Sequence, residues 1–212
     1  MEKRAQQVAE YLLQIKAIKL QPSNPFTWAS GWKSPIYCDN RKTLSFPVVR
    51  SYIRDSFAIL IKDLYPEAEL LAGVATGAIS HGALVADKLE LPFIYVRSGA
   101  KEHGLGNQIE GYYEPGQKVV VVEDLISTGG SSLSAVKALR DAGCVVLGMV
   151  AIFTYEFPKA SGAFDEAQCK LDTLSDYSTL IGTAVATGYI SESDTETLKV
   201  WRKDPSAWGV SK

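Results

Sequence analysis

Cysteine is scarce in this chain, and there is no excess of charge of either sign, no long apolar run and no internal repeat. The three cysteines, Cys38, Cys144 and Cys169, stand far apart with no CxxC or Cys/His spacing. That pattern excludes a zinc module and a disulfide framework, and it suits a reducing, cytoplasmic setting. Lys plus Arg (22) nearly balances Asp plus Glu (24), for a net charge of −2. So balanced a chain lacks the electrostatic footprint of a nucleic-acid or anionic-membrane binder, and any anion site must be local. No stretch approaches the roughly 20 apolar residues that span a bilayer. The N-terminus, MEKRAQQVAEYLLQ, is charged and amphipathic, which speaks against a secretory signal. No GxGxxG follows the valine-rich stretch at 119–122, which argues against a dinucleotide-binding fold.

What is present is the composition of a globular protein, 212 residues with 46% hydrophobic and 22% charged, and one domain over 1–212 is expected. Apolar spacing predicts a helix over Glu2 to Ile18, and Pro47 suits the first turn of another over Phe46 to Leu64. Strands are expected at Ile36 to Cys38, Leu70 to Val74, Phe93 to Val96, Val145 to Phe153 and Lys170 to Leu174. Helices are expected after Ala78 through Leu89, at Leu133 to Ala142, at Phe164 to Gln168 and at Ser175 to Val185. Ser193 with Glu196 reads as a capping box for a last helix to about Arg202. Strands alternating with helices predict an α/β fold with a mainly parallel sheet flanked by helices.

The most informative stretch is KVVVVEDLISTGGSS, Lys118 to Ser132. Val119 to Val122 are β-branched and read as a strand buried on both faces, stopped by Glu123 and Asp124. Leu125 and Ile126 lead into a small-residue turn, Ser127, Thr128, Gly129, Gly130, Ser131 and Ser132, which opens a helix. Such a turn brings backbone N–H groups close to an anion at a helix's positive end, whereas the blander reading is a βα turn with helix-capping serines. The acids suit sugar hydroxyls or a metal. They stand at a strand's carboxyl end, the edge where open α/β sheets bind ligands. The turn Ala75, Thr76, Gly77, Ala78 repeats this grammar.

Between Arg97 and Glu114 lies a long, Gly-rich and mostly polar segment that places Arg97, Lys101 and His103 within seven residues. Loops of that length in a compact domain are commonly functional. It begins at the carboxyl end of the predicted strand Phe93 to Val96, on the same edge as the acids, and its glycines would let it open and close. His81, between Ser80 and Gly82 in a predicted helix, reads as structural.

VVVVEDLISTGGSS resembles the phosphoribosyl pyrophosphate motif of the type I phosphoribosyltransferases. The loop pattern Arg97, Lys101, Glu102, His103, Gly104, followed by GNQIEG, and the upstream FTWASGWKSPIYCDNR narrow the resemblance to the orotate phosphoribosyltransferase family. The resemblance implies the type I phosphoribosyltransferase fold with a small N-terminal hood at about 1–45. It also implies transfer of 5-phosphoribosyl to orotate, with orotidine 5′-phosphate and pyrophosphate as products, in pyrimidine biosynthesis. Carried onto this chain, Glu123 and Asp124 would hold the ribose hydroxyls. Leu125, Ile126 and the turn Ser127, Thr128, Gly129, Gly130 and Ser131 would bind the donor, with the 5′-phosphate cradled from Ser127 to Ser131. Arg97, Lys101 and His103 would meet pyrophosphate, with Thr76 on its other side. Lys101, His103, Arg97 and Asp124 are the implied catalytic residues, and Ser127 with Tyr37 would face orotate. Mg²⁺ would be the cofactor, held mainly through substrate and not by a direct protein site. Family members are typically homodimers whose loop reaches the neighbouring site.

Departures from the family pattern occur at Ala29, where some relatives carry a lysine, at Ser98, and at Thr154 and Tyr155, where some carry an arginine. Lys33 lies four residues beyond Ala29. His103 has the chemistry to donate a proton to pyrophosphate, because imidazole titrates near neutrality. Two other readings share the central motif: a phosphoribosyltransferase for another base, and a non-catalytic sensor of phosphoribosyl pyrophosphate.

Overall fold

The computed structural model describes residues 2–28, 31–97 and 108–208. Helix α1 (Glu2–Gln14) buries Val8, Ala9, Leu12 and Leu13 along one stripe. It stops short of the predicted Ile18 because Lys16 turns left-handed, with φ 55°, and Ile18 enters strand β1 (Ile18–Leu20). That strand pairs antiparallel with β4 (Ile36–Cys38), and β2 (Phe26–Thr27) pairs with β3 (Lys33–Ser34) between them. A 3-10 helix (Asn40–Ser45) leads to α2 (Pro47–Leu64), whose proline occupies the first turn, where a missing N–H costs nothing.

A six-stranded sheet follows, built from β5 (Leu70–Val74), β6 (Phe93–Val96), β7 (Ile109–Glu110), β8 (Lys118–Ile126), β9 (Val145–Thr154) and β10 (Leu171–Asp176). The strand order is β10-β9-β8-β5-β6-β7, parallel except for β7. Helices α3 (Ile79–Leu89), α4 (Gly130–Asp141), α5 (Pro158–Glu166), α6 (Tyr177–Ala186) and α7 (Asp194–Lys203) complete the chain. Val119 to Val122 are all fully buried and split between two cores. Val120 and Val122 face the core that includes residues of α1, α2 and α6, whereas Val119 and Val121 face the one that includes α4 and α5. A strand covered on both sides needs no polar alternation, which is why four valines can follow one another.

The sheet changes direction between β5 and β8, since the chain leaves β5 for β6 on one side and β8 lies on the other. The crevice beyond the carboxyl ends of those two strands is the place such sheets reserve for ligands.

Four local expectations are corrected. The acids do not stop the central strand. Its register with β9 continues through Glu123↔Ala151 to Ile126↔Thr154, because the neighbouring long strand supplies ladder partners that outweigh local composition. Helix α5 begins at Pro158, not Phe164, the fixed φ of proline being suited to a first turn. The capping box at Ser193 does not form. Ser193 makes no capping hydrogen bond, and its hydroxyl meets that of Ser191 at 2.8 Å. Strand β7, in the stretch expected to be irregular, pairs with β6 through Tyr95↔Glu110 and Val96↔Ile109. Two residues are too few to carry a period. No helix among the described residues is long and apolar enough to cross a membrane.

Candidate active site

The carboxyl end of β8 carries two acids with unlike surroundings. Glu123 is buried, with Oε1 accepting from the Asp124 backbone N–H at 2.9 Å and Oε2 from the Ser132 hydroxyl at 2.8 Å. Burial, reinforced by the neighbouring Asp124 charge, pushes its pKa up to about 8. Asp124 is half-buried, and its carboxylate packs against Gly77 in the turn after β5. A Cβ at Gly77 would collide with that carboxylate, so glycine lets the β5 and β8 turns close on each other.

Next in the chain, Leu125 and Ile126 remain in the strand, and the fully buried Ile126 gives its carbonyl to Tyr155 N–H at 3.1 Å. Gly129 then turns left-handed, φ 82°, immediately before α4. The first N–H groups of a helix have no partners within it, which leaves those of Gly130, Ser131 and Ser132 as available donors, while Leu133 N–H donates to the Gly129 carbonyl at 2.9 Å. Gly130 and Ser131, exposed in this first turn, stand beside Ser127 and Thr128. A small-residue turn at a helix N-terminus has the chemistry to cradle an anion.

Arg97 lies just past β6. Its guanidinium pairs with Glu110 at 3.5 Å, and its backbone N–H donates to Gln108 at 2.8 Å, so short β7 fixes the arginine at the sheet edge. Thr76 is exposed after β5. Ala29, Ser98, Lys101, Glu102 and His103 lie outside the described residues.

Beside the cradle is a cavity of about 300 Å³ lined by Thr27, Trp28, Tyr37, Cys38, Leu125, Ser127 and Tyr155. Trp28 packs on Tyr155 with ring centroids 5.5 Å apart, and Tyr155 stacks on Phe157 at 5.2 Å. Trp28 also donates its indole N–H to the Ile36 carbonyl at 3.0 Å. Lys33 places its ammonium on the Thr27 hydroxyl at 2.8 Å. Aromatic side chains and Ser127 line the cavity, a lining whose chemistry suits a planar heterocycle. Sequence reasoning named Ser127 and Tyr37 for this side. It did not name Trp28, Cys38 or Tyr155 as ligand contacts, or Ser132 as the partner of Glu123. The only available signal was the aromatic content of the FTWASGWKSPIYCDNR segment.

Among the described residues no group of three or more His, Cys, Asp or Glu side chains is arranged to hold a metal ion. His81 is buried, and burial pulls its pKa down, while the Asp124 charge and the Asn40 carbonyl pull the other way.

A mainly parallel sheet flanked by helices, with paired acids and a small-residue turn at its switch point, is the architecture of the type I phosphoribosyltransferases. The profile of the "Phosphoribosyl transferase domain" family matches residues 52–187. The orotate phosphoribosyltransferase of Bacteroides fragilis is 61% identical over 204 residues, covering 96% of each chain. That of Porphyromonas gingivalis is 59% identical over 203 residues, covering 96% of this chain and 97% of its own. The crystal structure of orotate phosphoribosyltransferase from Aeropyrum pernix, 26% identical, superposes with a TM-score of 0.75 over 87% of this chain and 99% of that one. The chain belongs to the orotate phosphoribosyltransferase family.

Proposed function

We propose that this chain transfers the 5-phosphoribosyl group from phosphoribosyl pyrophosphate to orotate, releasing pyrophosphate and forming orotidine 5′-phosphate for pyrimidine biosynthesis. The observation that carries the reading is the adjacency of the Ser127–Ser131 cradle to the aromatic cavity, with Asp124 at the carboxyl end of the same strand. We read residues 1–212 as one phosphoribosyltransferase domain whose first 45 or so residues form a hood over the base.

Displacing pyrophosphate from the anomeric carbon builds positive charge on the ribose and negative charge on the leaving group. Backbone N–H groups of the cradle hold the 5′-phosphate, which stays on the product. Asp124 accepts from the ribose hydroxyls, and its negative charge lies where the sugar becomes cationic. Glu123, with both oxygens already engaged, shapes the turn and offers its remaining lone pairs. Arg97, Lys101 and His103 would meet the leaving pyrophosphate, with Thr76 on its other side, and His103 would supply a proton to it. Ser127 and the backbone around Tyr37 orient the base. We read Mg²⁺ as the cofactor, held mainly through substrate oxygens. When bound, the ion would supply Lewis-acid neutralisation of charge on the departing pyrophosphate. We further read the enzyme as a cytoplasmic homodimer in which the 97–114 segment reaches the neighbouring site.

Following orotate absorbance with phosphoribosyl pyrophosphate and Mg²⁺ tests the reading, with uracil, adenine and hypoxanthine offered in parallel. Turnover confined to orotate is expected. Turnover of a purine in its place would move the chain to another base, and donor binding without any turnover would make it a sensor.

A further inference from the structure

Asn40 is 1% exposed, at the start of the 3-10 helix, and it is the buried polar side chain that joins the hood to the acid turn. Its Nδ2 donates to the main-chain carbonyl of Asp124 at 2.6 Å, across 84 residues of sequence. Its Oδ1 accepts from the Cys38 thiol at 3.4 Å, and Cys38 lines the base cavity. Behind it, the Thr43 hydroxyl donates to the Asn40 carbonyl at 2.6 Å. The Thr43 proton is thereby committed, so at 3.2 Å its oxygen accepts from His81 Nε2, which fixes that ring's tautomer. Thr43 and His81 are themselves buried. On its far side the Asp124 carboxylate is pressed against Gly77.

We infer that Asn40 is a positioning residue that sets the distance and angle between the base cavity and Asp124, with Thr43 and His81 holding it in place. The inference rests on the proposed transfer reaction, in which a base nitrogen must meet the anomeric carbon in line with the leaving group. One side of that encounter is fixed by the hood and the other by the β8 turn. Among the described residues, Asn40 is the side chain whose hydrogen bonds reach both. A buried amide whose donor and acceptor are both used permits a single orientation, and an apolar replacement of similar size removes both contacts. Because Asn40 is buried behind the cavity wall, its loss displaces reacting groups without removing a ligand contact. Misplacement on the ångström scale costs about 100-fold in rate.

The test is steady-state kinetics of the full chain, varying each substrate, for wild type, Asn40→Leu, Thr43→Val and Ile53→Val, with thermal melting of each. Ile53 is fully buried on α2 and does not line the cavity, and its shortening controls for lost stability. For Asn40→Leu we expect kcat about 100-fold lower with both KM values within about threefold, the pattern of a contact that matters in the transition state. Thr43→Val should show the same pattern at about tenfold, because it loosens Asn40 without removing it. Ile53→Val should keep its kcat. An Asn40→Leu enzyme with wild-type kcat, or one whose loss lies in KM alone, would overturn the inference. If Asn40→Leu does not fold, Thr43→Val decides, and an unchanged kcat there overturns it equally. Wild-type turnover of a base other than orotate would sink the functional reading and leave the Asn40 comparison to be made on that base. A wild type inactive with every base would remove both.

Discussion

The turn from Ser127 to Ser131 and the cavity beside it are neighbours in space built in different ways. The turn takes its parts from consecutive residues after one strand, and Gly129, left-handed just before α4, makes room for it. The cavity takes Thr27, Trp28, Tyr37 and Cys38 from the hood, Leu125 and Ser127 from β8 and its turn, and Tyr155 from the end of β9. Backbone donors need no particular side chains, so the phosphate side tolerates a local solution. A flat base needs walls on several sides, and no short stretch of chain can supply them. Under the proposed function, anion recognition is a property of a segment and base recognition a property of the assembled fold.

Substitutions sharpen that contrast. The largest effect is expected on the leaving-group side, where Lys101→Ala should lower kcat by about 1,000-fold and alter substrate KM values far less. An unchanged kcat would remove Lys101 from the mechanism. Asp124→Asn keeps the shape and removes the charge beneath the ribose, and we expect a loss of about 100-fold in kcat, measured in the same orotate assay. Turnover at the wild-type rate would exclude its charge from the reaction. On the base side, Ser127→Ala should raise the KM for orotate about tenfold, equivalent to about 1.4 kcal/mol, while the KM for phosphoribosyl pyrophosphate moves less. Equal effects on both substrates would mean that cradle and cavity are not separable at this residue.

A separate prediction concerns stability instead of turnover. Glu123 has a folded pKa of about 8 against an ordinary value of 4.5, so the folded protein holds the extra proton between those values. Its stabilising contribution is therefore full below about pH 4.5 and is lost as pH rises toward 8. Melting curves from pH 5 to pH 8.5 should show Glu123→Gln with a flatter pH dependence, its Tm gaining on wild type toward the alkaline end. Parallel curves for the two proteins would show that the carboxyl is ionised throughout.

Much of the sheet was legible because its signals are local. Val119 to Val122, four β-branched residues in a row, read as a buried strand, and Pro47 and the Ser127–Ser132 run mark helix starts by backbone chemistry. The errors arose where a partner decided the outcome. Glu123 and Asp124 remain in β8 because β9 runs beside them, and the Ser193 cap gives way to contacts among Ser191, Ser193 and Asp194. His81 reads as structural from its neighbours in the chain, yet it ends a buried chain of hydrogen bonds that reaches Asp124.

The sequence by itself determined the strand, the acids and the small-residue turn, because each depends on residues adjacent in the chain. The tertiary structure alone decided that Asp124 is half-buried while Glu123 is sealed against Ser132. It alone brought Cys38, Tyr37 and Tyr155 to one cavity and set Asn40 between that cavity and the acids. The physical reason is that burial and hydrogen-bond partnership belong to pairs of surfaces, and a surface acquires its partner only when the chain has folded.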